Sequence, residues 1–210
     1  MTMILSFPPL GGGYGASILP ASDQRRADMT DKALIIVDLQ NDYFPGGRWE
    51  LVGIERAAAN AARVLATFRE KGLPIIHIRH EFPPENAPFF APGSDGAKIN
   101  AAVVPREGET VVPKHHPNAF RDTPLRALLD EKGISALTVL GAMSHICIDA
   151  TVRAAVDFGY DVTLVYDAVA TRDLLFNGVS VPAAHVHAAY MAALSFAYAT
   201  VVSTDESLGT

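Results

Sequence analysis

The sequence holds one cysteine, Cys147, among 210 residues. A single cysteine excludes an internal disulfide and any cysteine-rich zinc site, and it fits a reducing cytoplasm, where the chain is expected to work. Long apolar runs are absent too: none approaches the roughly 20 residues needed to span a bilayer, so no membrane partner is expected. Basic residues are few and scattered. Lys and Arg total 17 against 23 Asp and Glu, a formal net charge of -6, and they form no stripe, so the footprint of a nucleic-acid binder is missing. Charged residues make up only 19% and hydrophobic residues 49%, a balance that folds around a core instead of staying disordered. At this length one domain with a sizeable core is expected, with a small molecule as its partner.

Residues 1–28 lack a basic n-region and a continuous apolar h-region, and Gly11 to Gly13 interrupt them, which argues against a signal peptide. They are set apart as an N-terminal extension, either flexible or an artefact of the start site or cloning. The folded domain is expected over residues 29–206.

From Ala33 to Val37 the chain is apolar without alternation, as a strand covered on both faces should be. Ile54 to Lys71 puts Ile54, Ala58, Ala61, Val64, Leu65 and Phe68 on one helical face and stops at Gly72 and Pro74. Further strands are predicted at 74–79, 110–113, 136–141, 162–166 and 200–203, and further helices at 124–132, 147–158 and 182–196. This alternation implies right-handed crossovers and an α/β fold, a three-layer α/β/α sandwich, Rossmann-like, around a largely parallel six-stranded sheet. The stretch from His80 to Gly96 is too long and too rich in Pro and Gly for a plain connection. It is expected to be a lid, a pocket wall or a subunit contact, with Phe82, Phe89 and Phe90 as its apolar residues.

Ligands of open parallel sheets bind beyond the carboxyl ends of the strands, and Asp38, Lys114 and Cys147 follow three different predicted strands. Singly, each has a plain account: a turn aspartate, a solvated lysine, a small core residue. Jointly they make a chemically coherent set. Cys147 falls in the first turn of a predicted helix, where free N–H groups and the helix dipole favour a thiolate. Asp38 is suited to take the thiol proton and return it to a leaving group, while Lys114 holds the carboxylate and lowers the thiol pKa from about 8.5. A thiolate attacking an amide-like carbonyl forms an acyl-enzyme, with the backbone N–H groups of Met143 and Cys147 as oxyanion donors. Phe44, Trp49, Phe120 and His145 are candidate pocket walls, and His80 is either a wall or a loop residue. His77 reads as a core histidine, His115 and His116 as loop residues that could tune Lys114, and Arg172 with Asp173 as a surface ion pair. A Cys-His-Asp triad through His115 or His145 stays open.

Three stretches, IIVDLQNDYFPGG, VVPKHHPNAF with TPLRALL, and VLGAMSHICIDATVRAAVDFGYDVTLVYDAVAT, jointly resemble the isochorismatase-like cysteine hydrolases, the superfamily that includes nicotinamidases and N-carbamoylsarcosine amidohydrolase. The resemblance implies an Asp-Lys-Cys triad at Asp38, Lys114 and Cys147, and a cis peptide joining Ala142 to Met143. It implies hydrolysis of a C–N bond in a small amide, imide or ureido compound, with vinyl-ether hydrolysis of the isochorismatase type or a non-catalytic scaffold as the alternatives. Nicotinamidases carry a metal near the second strand, but Arg79 stands about where a carboxylate ligand belongs, so no metal and no cofactor are expected. The resemblance and the apolar helix at 182–196 both point to a homo-oligomer, a dimer or tetramer.

Overall fold

A computed structural model describes residues 31–210, so the expectation for the extension at 1–28 and for a domain start at Met29 lies outside the described residues. The elements are β1 (Lys32–Val37), α1 (Ile54–Glu70), β2 (Ile75–His80), β3 (Thr110–Lys114), α2 (Leu125–Glu131), β4 (Ala136–Ala142), a π-helical turn (Ser144–Ile148), α3 (Asp149–Asp157), β5 (Asp161–Ala170), β6 (Leu174–Phe176), β7 (Val179–Val181), α4 (Ala183–Ala197), β8 (Thr200–Val202) and α5 (Thr204–Leu208). Six strands form one sheet in the order β3-β2-β1-β4-β5-β8, every neighbouring pair parallel. This is the α/β/α sandwich that the alternation of elements predicts.

The unbroken apolar run of β1 is explained by two cores. Ala33, Ile35 and Val37 face one cluster, built with Leu125 and Leu129 of α2, Val152 and Ala155 of α3, and Met191 and Leu194 of α4. Leu34 and Ile36 face the other, built with Ile54, Ala61, Val64 and Leu65 of α1 and with Leu208 of α5 at its margin. Each Val, Leu, Ile or Met side chain so taken from water stabilises by about 1.5–3 kcal/mol, so the central strand is held from both sides. β1 also sits where the order turns, with β2 and β3 to one side and β4, β5 and β8 to the other. The crevice beyond the carboxyl ends of β1 and β4 is the place for a ligand in a sheet of this order.

Three local features differ from the sequence expectation. β5 continues past Tyr166 and Asp167 to Ala170, because a register shift after Val139 lets Gly141 and Ala142 pair with Val169 and Ala170. The shift sets Val165 to Ala168 opposite Leu140 alone, and it takes in Asp167 and Ala168, which follow the strand expected at 162–166. β6 and β7 form an antiparallel hairpin missed in the sequence, although its turn is Asn177-Gly178 with both residues at positive φ. That pair is a strong short-range hairpin signal. The chain also ends in a short helix with a capping box, Ser203 to Glu206, a pattern visible in the sequence as S-T-D-E.

Candidate active site

Adjacent strand ends deliver the polar side chains. β2 ends on His80 and β3 on Lys114, and the two are partners in register, so their side chains leave the sheet on the same face. Asp38 follows β1 directly, at φ 52. On the next strand, Gly141 pairs with Val37 and has φ 128. A Cβ there would collide with the Val37 carbonyl oxygen, so only glycine lets β4 pass this close before the chain turns. The Ala142–Met143 peptide that follows is cis. Cys147 then sits within the π-helical turn, with the Ile148 N–H donating to the Met143 carbonyl at 3.2 Å. The helix predicted from Cys147 therefore begins differently: α3 proper starts at Asp149, and the sulfur lies in the wider turn before it.

The three side chains converge. Lys114 Nζ lies 2.7 Å from Asp38 Oδ2, both side chains wholly buried, and 3.3 Å from Cys147 Sγ. It also donates to His80 Nδ1 at 2.9 Å and to the His116 carbonyl at 3.1 Å. The ammonium thus sits among two negative or polarisable atoms and two neutral acceptors, which suits a cation removed from water. The contact with Asp38 is a buried ion pair, and the Lys114 and Cys147 side chains and the His80 backbone all act to favour the carboxylate against its burial.

Burial governs the protonation states. It pushes the Asp38 carboxyl up, while the Lys114 charge pulls it back. Lys114 is held above its ordinary value: its burial favours the neutral amine, but its interactions with Asp38 and Cys147 together outweigh that. The Cys147 thiol is pushed up to about 12, first by burial and then by the Asp38 charge, against the pull of Lys114. This corrects the expectation of a lowered thiol pKa. Desolvation of Cys147, a residue only 4% exposed, exceeds what one ammonium and a helix start supply. The resting site therefore holds Lys114 as an ammonium and Cys147 as a neutral thiol. Moving the thiol proton to Asp38 keeps the total charge unchanged, whereas losing it to solvent would leave a buried net negative charge.

The candidate pocket residues divide. His80 is 5% exposed and joins the triad through Lys114. Trp49 is half-buried, stacked on Phe89 at 4.8 Å, and carries the Arg172 guanidinium 4.2 Å over its ring. Arg172 and Asp173 are thus not the ion pair expected from their adjacency. Arg172 prefers the indole face, and Asp173 accepts the Ala183 N–H at the start of α4. His145 is half-buried, bonded through Nδ1 to the Thr171 hydroxyl at 2.7 Å, and His115 through Nδ1 to the Glu81 carbonyl. Neither reaches the sulfur, whose hydrogen-bond partner among the described residues is Lys114, so the Cys-His-Asp triad is set aside. Phe44 is half-buried against the cluster of Tyr43 and the loop aromatics. Phe120 packs against Phe158 and Tyr160 in the opposite core. It is a core residue and not a wall beside Lys114, because those two rings offer it an aromatic seat that sequence proximity does not reveal.

Residues that carry the site without having stood out in the sequence are Gln40 and Asp42. Gln40 clamps the backbone of His80 from both sides, donating to its carbonyl at 2.8 Å and accepting its N–H at 2.7 Å. Asp42 accepts the Phe90 N–H at 2.6 Å and the Arg48 N–H at 3.2 Å. It thereby draws the loop after His80 inward, so that Phe82, Phe89 and Phe90 pack on one another and on Tyr43. Both residues stand in the DLQND stretch, but no periodicity marks them. Among the described residues, the group able to offer a metal three ligands is Asp38, His80 and Cys147, with ligand atoms within 4.8 Å of one another. Each of the three is in contact with the Lys114 ammonium. A divalent ion would have to displace that charge, and the donor set does not fit a resident metal.

Comparison with known proteins bears on this arrangement. The Isochorismatase domain family model matches residues 32–206. An uncharacterized isochorismatase family protein of Bacillus subtilis (strain 168) is 49% identical over 176 residues, which is 84% of this chain and 98% of the relative. The ureidoacrylate amidohydrolase of Variovorax paradoxus (strain S110) is 27% identical over 214 residues, 86% of this chain and 83% of its own. The crystal structure of a proposed isochorismatase hydrolase from Oleispira antarctica superposes with a TM-score of 0.83 at 55% identity, covering 86% of this chain and 97% of the other.

Proposed function

The chain belongs to the isochorismatase family of hydrolases, and from that premise we propose that it cleaves a C–N bond in a small amide, imide or ureido compound through a thioester on Cys147. The observation that carries this reading is the buried contact of Lys114 with both Asp38 and Cys147, at 2.7 and 3.3 Å. The name of the Variovorax relative, an amidohydrolase, is in keeping with it.

In this mechanism Asp38 accepts the thiol proton as sulfur adds to the substrate carbonyl carbon, and the carbonyl π electrons move to oxygen. The backbone N–H groups of Met143 and Cys147 are the donors for that oxyanion. No hydrogen bond from the Met143 N–H is found among the described residues, which leaves it free for this task. The tetrahedral species collapses, the C–N bond breaks, and Asp38 returns the proton to the leaving nitrogen. Water then attacks the thioester with Asp38 as base, sulfur leaves, and Asp38 reprotonates it. Lys114 stays charged throughout and stabilises whichever of Asp38 and Cys147 is negative.

The test is turnover of a panel of small amides, imides and ureido acids, with isochorismate as the ether control, by wild-type and Cys147→Ala protein. Hydrolysis of a C–N substrate by the wild type alone, with an acyl adduct on the Cys147 peptide after rapid quenching, is expected. Turnover of the ether alone, retained in Cys147→Ala, would overturn the proposal.

A further inference from the structure

The His80 imidazole has one nitrogen committed and one without a partner. Lys114 Nζ carries only donors, so Nδ1, at 2.9 Å, must present its lone pair. A neutral ring with Nδ1 as acceptor carries its proton on Nε2. That nitrogen is buried and has no hydrogen-bond partner among the described residues. The ring is also fixed in place: Gln40 holds its backbone on both sides, and Phe82 lies against it with ring centroids 4.5 Å apart. Leaving a buried donor unpaired is costly, and a native site tolerates it where a ligand supplies the missing acceptor.

We propose that the Nε2–H of His80 is a substrate-binding donor that selects compounds carrying a second acceptor oxygen beside the scissile C–N bond, as imides and amide acids do. This rests on the reading of the site as a C–N hydrolase. Burial and the neighbouring Lys114 charge hold the ring's pKa down to about 3, so it donates from a single tautomer at any ordinary pH. A neutral donor beside Lys114 also selects by geometry and not by charge, since it rewards an oxygen at one position instead of any anion nearby. His80 therefore has two separable tasks, accepting from Lys114 at Nδ1 and donating to substrate at Nε2.

Two substitutions separate them. In His80→Asn a side-chain oxygen replaces Nδ1 and the distal donor is lost, whereas in His80→Gln the amide N–H falls near the position of Nε2. The probes are matched pairs, succinimide with 2-pyrrolidinone and succinamic acid with butyramide, titrated calorimetrically into Cys147→Ser protein, where binding is read without turnover. We expect the two-oxygen member of at least one pair to bind about 10-fold tighter. His80→Asn in the same background should erase the difference and His80→Gln should retain part of it. In 15N-histidine spectra the His80 ring should show the Nε2–H tautomer at pH 7. Equal binding of both members, no saturable binding of any two-oxygen member, discrimination that survives His80→Asn, or a ring protonated at Nδ1 would each overturn the assignment. If Cys147→Ser discriminates but the wild type hydrolyses no C–N substrate of any kind, the hydrolytic reading falls and the role of His80 as a donor stands.

Discussion

Lys114 Nζ and Asp38 Oδ2 lie 2.7 Å apart with both side chains shut off from solvent. An ion pair so placed contributes little net stability, yet removing one member leaves a bare charge in the interior. Asp38→Asn or Lys114→Met should each destabilise the fold by about 3–5 kcal/mol. The double variant should cost less than the sum of the two, which urea denaturation in a double-mutant cycle measures. Additive single effects would mean that the two charges are not coupled.

Cys147 should be a thiol, not a preformed thiolate, in the resting protein. With the sulfur pushed up to about 12, the thiolate band near 240 nm should be missing from pH 6 to 9. The chain has no other cysteine to obscure it. Alkylation of Cys147 should be slow at pH 7 in the absence of substrate. A band appearing below pH 8 would contradict the dominance of burial over the Lys114 charge.

The same shift makes a prediction for alkaline stability. The unfolded thiol ionises near 9 and the folded one near 12, so between these values the unfolded state holds fewer protons and folding stability falls as pH rises. Cys147→Ala should lose less stability than the wild type between pH 9 and 11. Parallel stability curves for the two proteins would rule the linkage out.

On the acid side, Glu109 is the sensitive group. Its hydrogen bonds with Arg69, at 2.6 and 2.9 Å, bring its pKa down to about 2, against the opposing effect of burial. Stability from this carboxylate is present above its ordinary value of 4.5 and is lost as pH falls through 4.5 towards 2. His77, buried beside it at 3.0 Å and held below its usual pKa by burial, acts in the same direction below pH 6.5, because the unfolded imidazole takes up its proton at higher pH than the folded one. Glu109→Gln should give a thermal midpoint that changes less between pH 6 and 3 than that of the wild type.

Gly141 is the most constrained position in the strand that leads to the nucleophile. Gly141→Ala places a Cβ against the Val37 carbonyl at a backbone angle that L residues avoid. It should destabilise by about 2 kcal/mol or more and lower turnover, as circular dichroism melting and the assay above would record. A variant with wild-type stability would show that β4 can move away from β1 without loss.

What the chain carried on its own surface as sequence was local and periodic. Apolar runs marked the strands, the helical spacing of Ile54, Ala58, Ala61, Val64 and Leu65 marked a helix, and Gly and Pro marked the ends. Because alternating strands and helices admit few topologies, this was enough for the sandwich and for placing Asp38, Lys114 and Cys147 at strand ends. Features that depend on contacts across tens of residues left no such mark. The bulge that carries β5 to Ala170, the clamp of Gln40 on His80, the pull of Asp42 on Phe90 and the seating of Arg172 on Trp49 follow from which surfaces meet after folding. The state of the sulfur belongs to the same class. Sequence placed Cys147 at a helix start and so argued for a thiolate, but burial decides the proton, and burial is a property of the packed site alone.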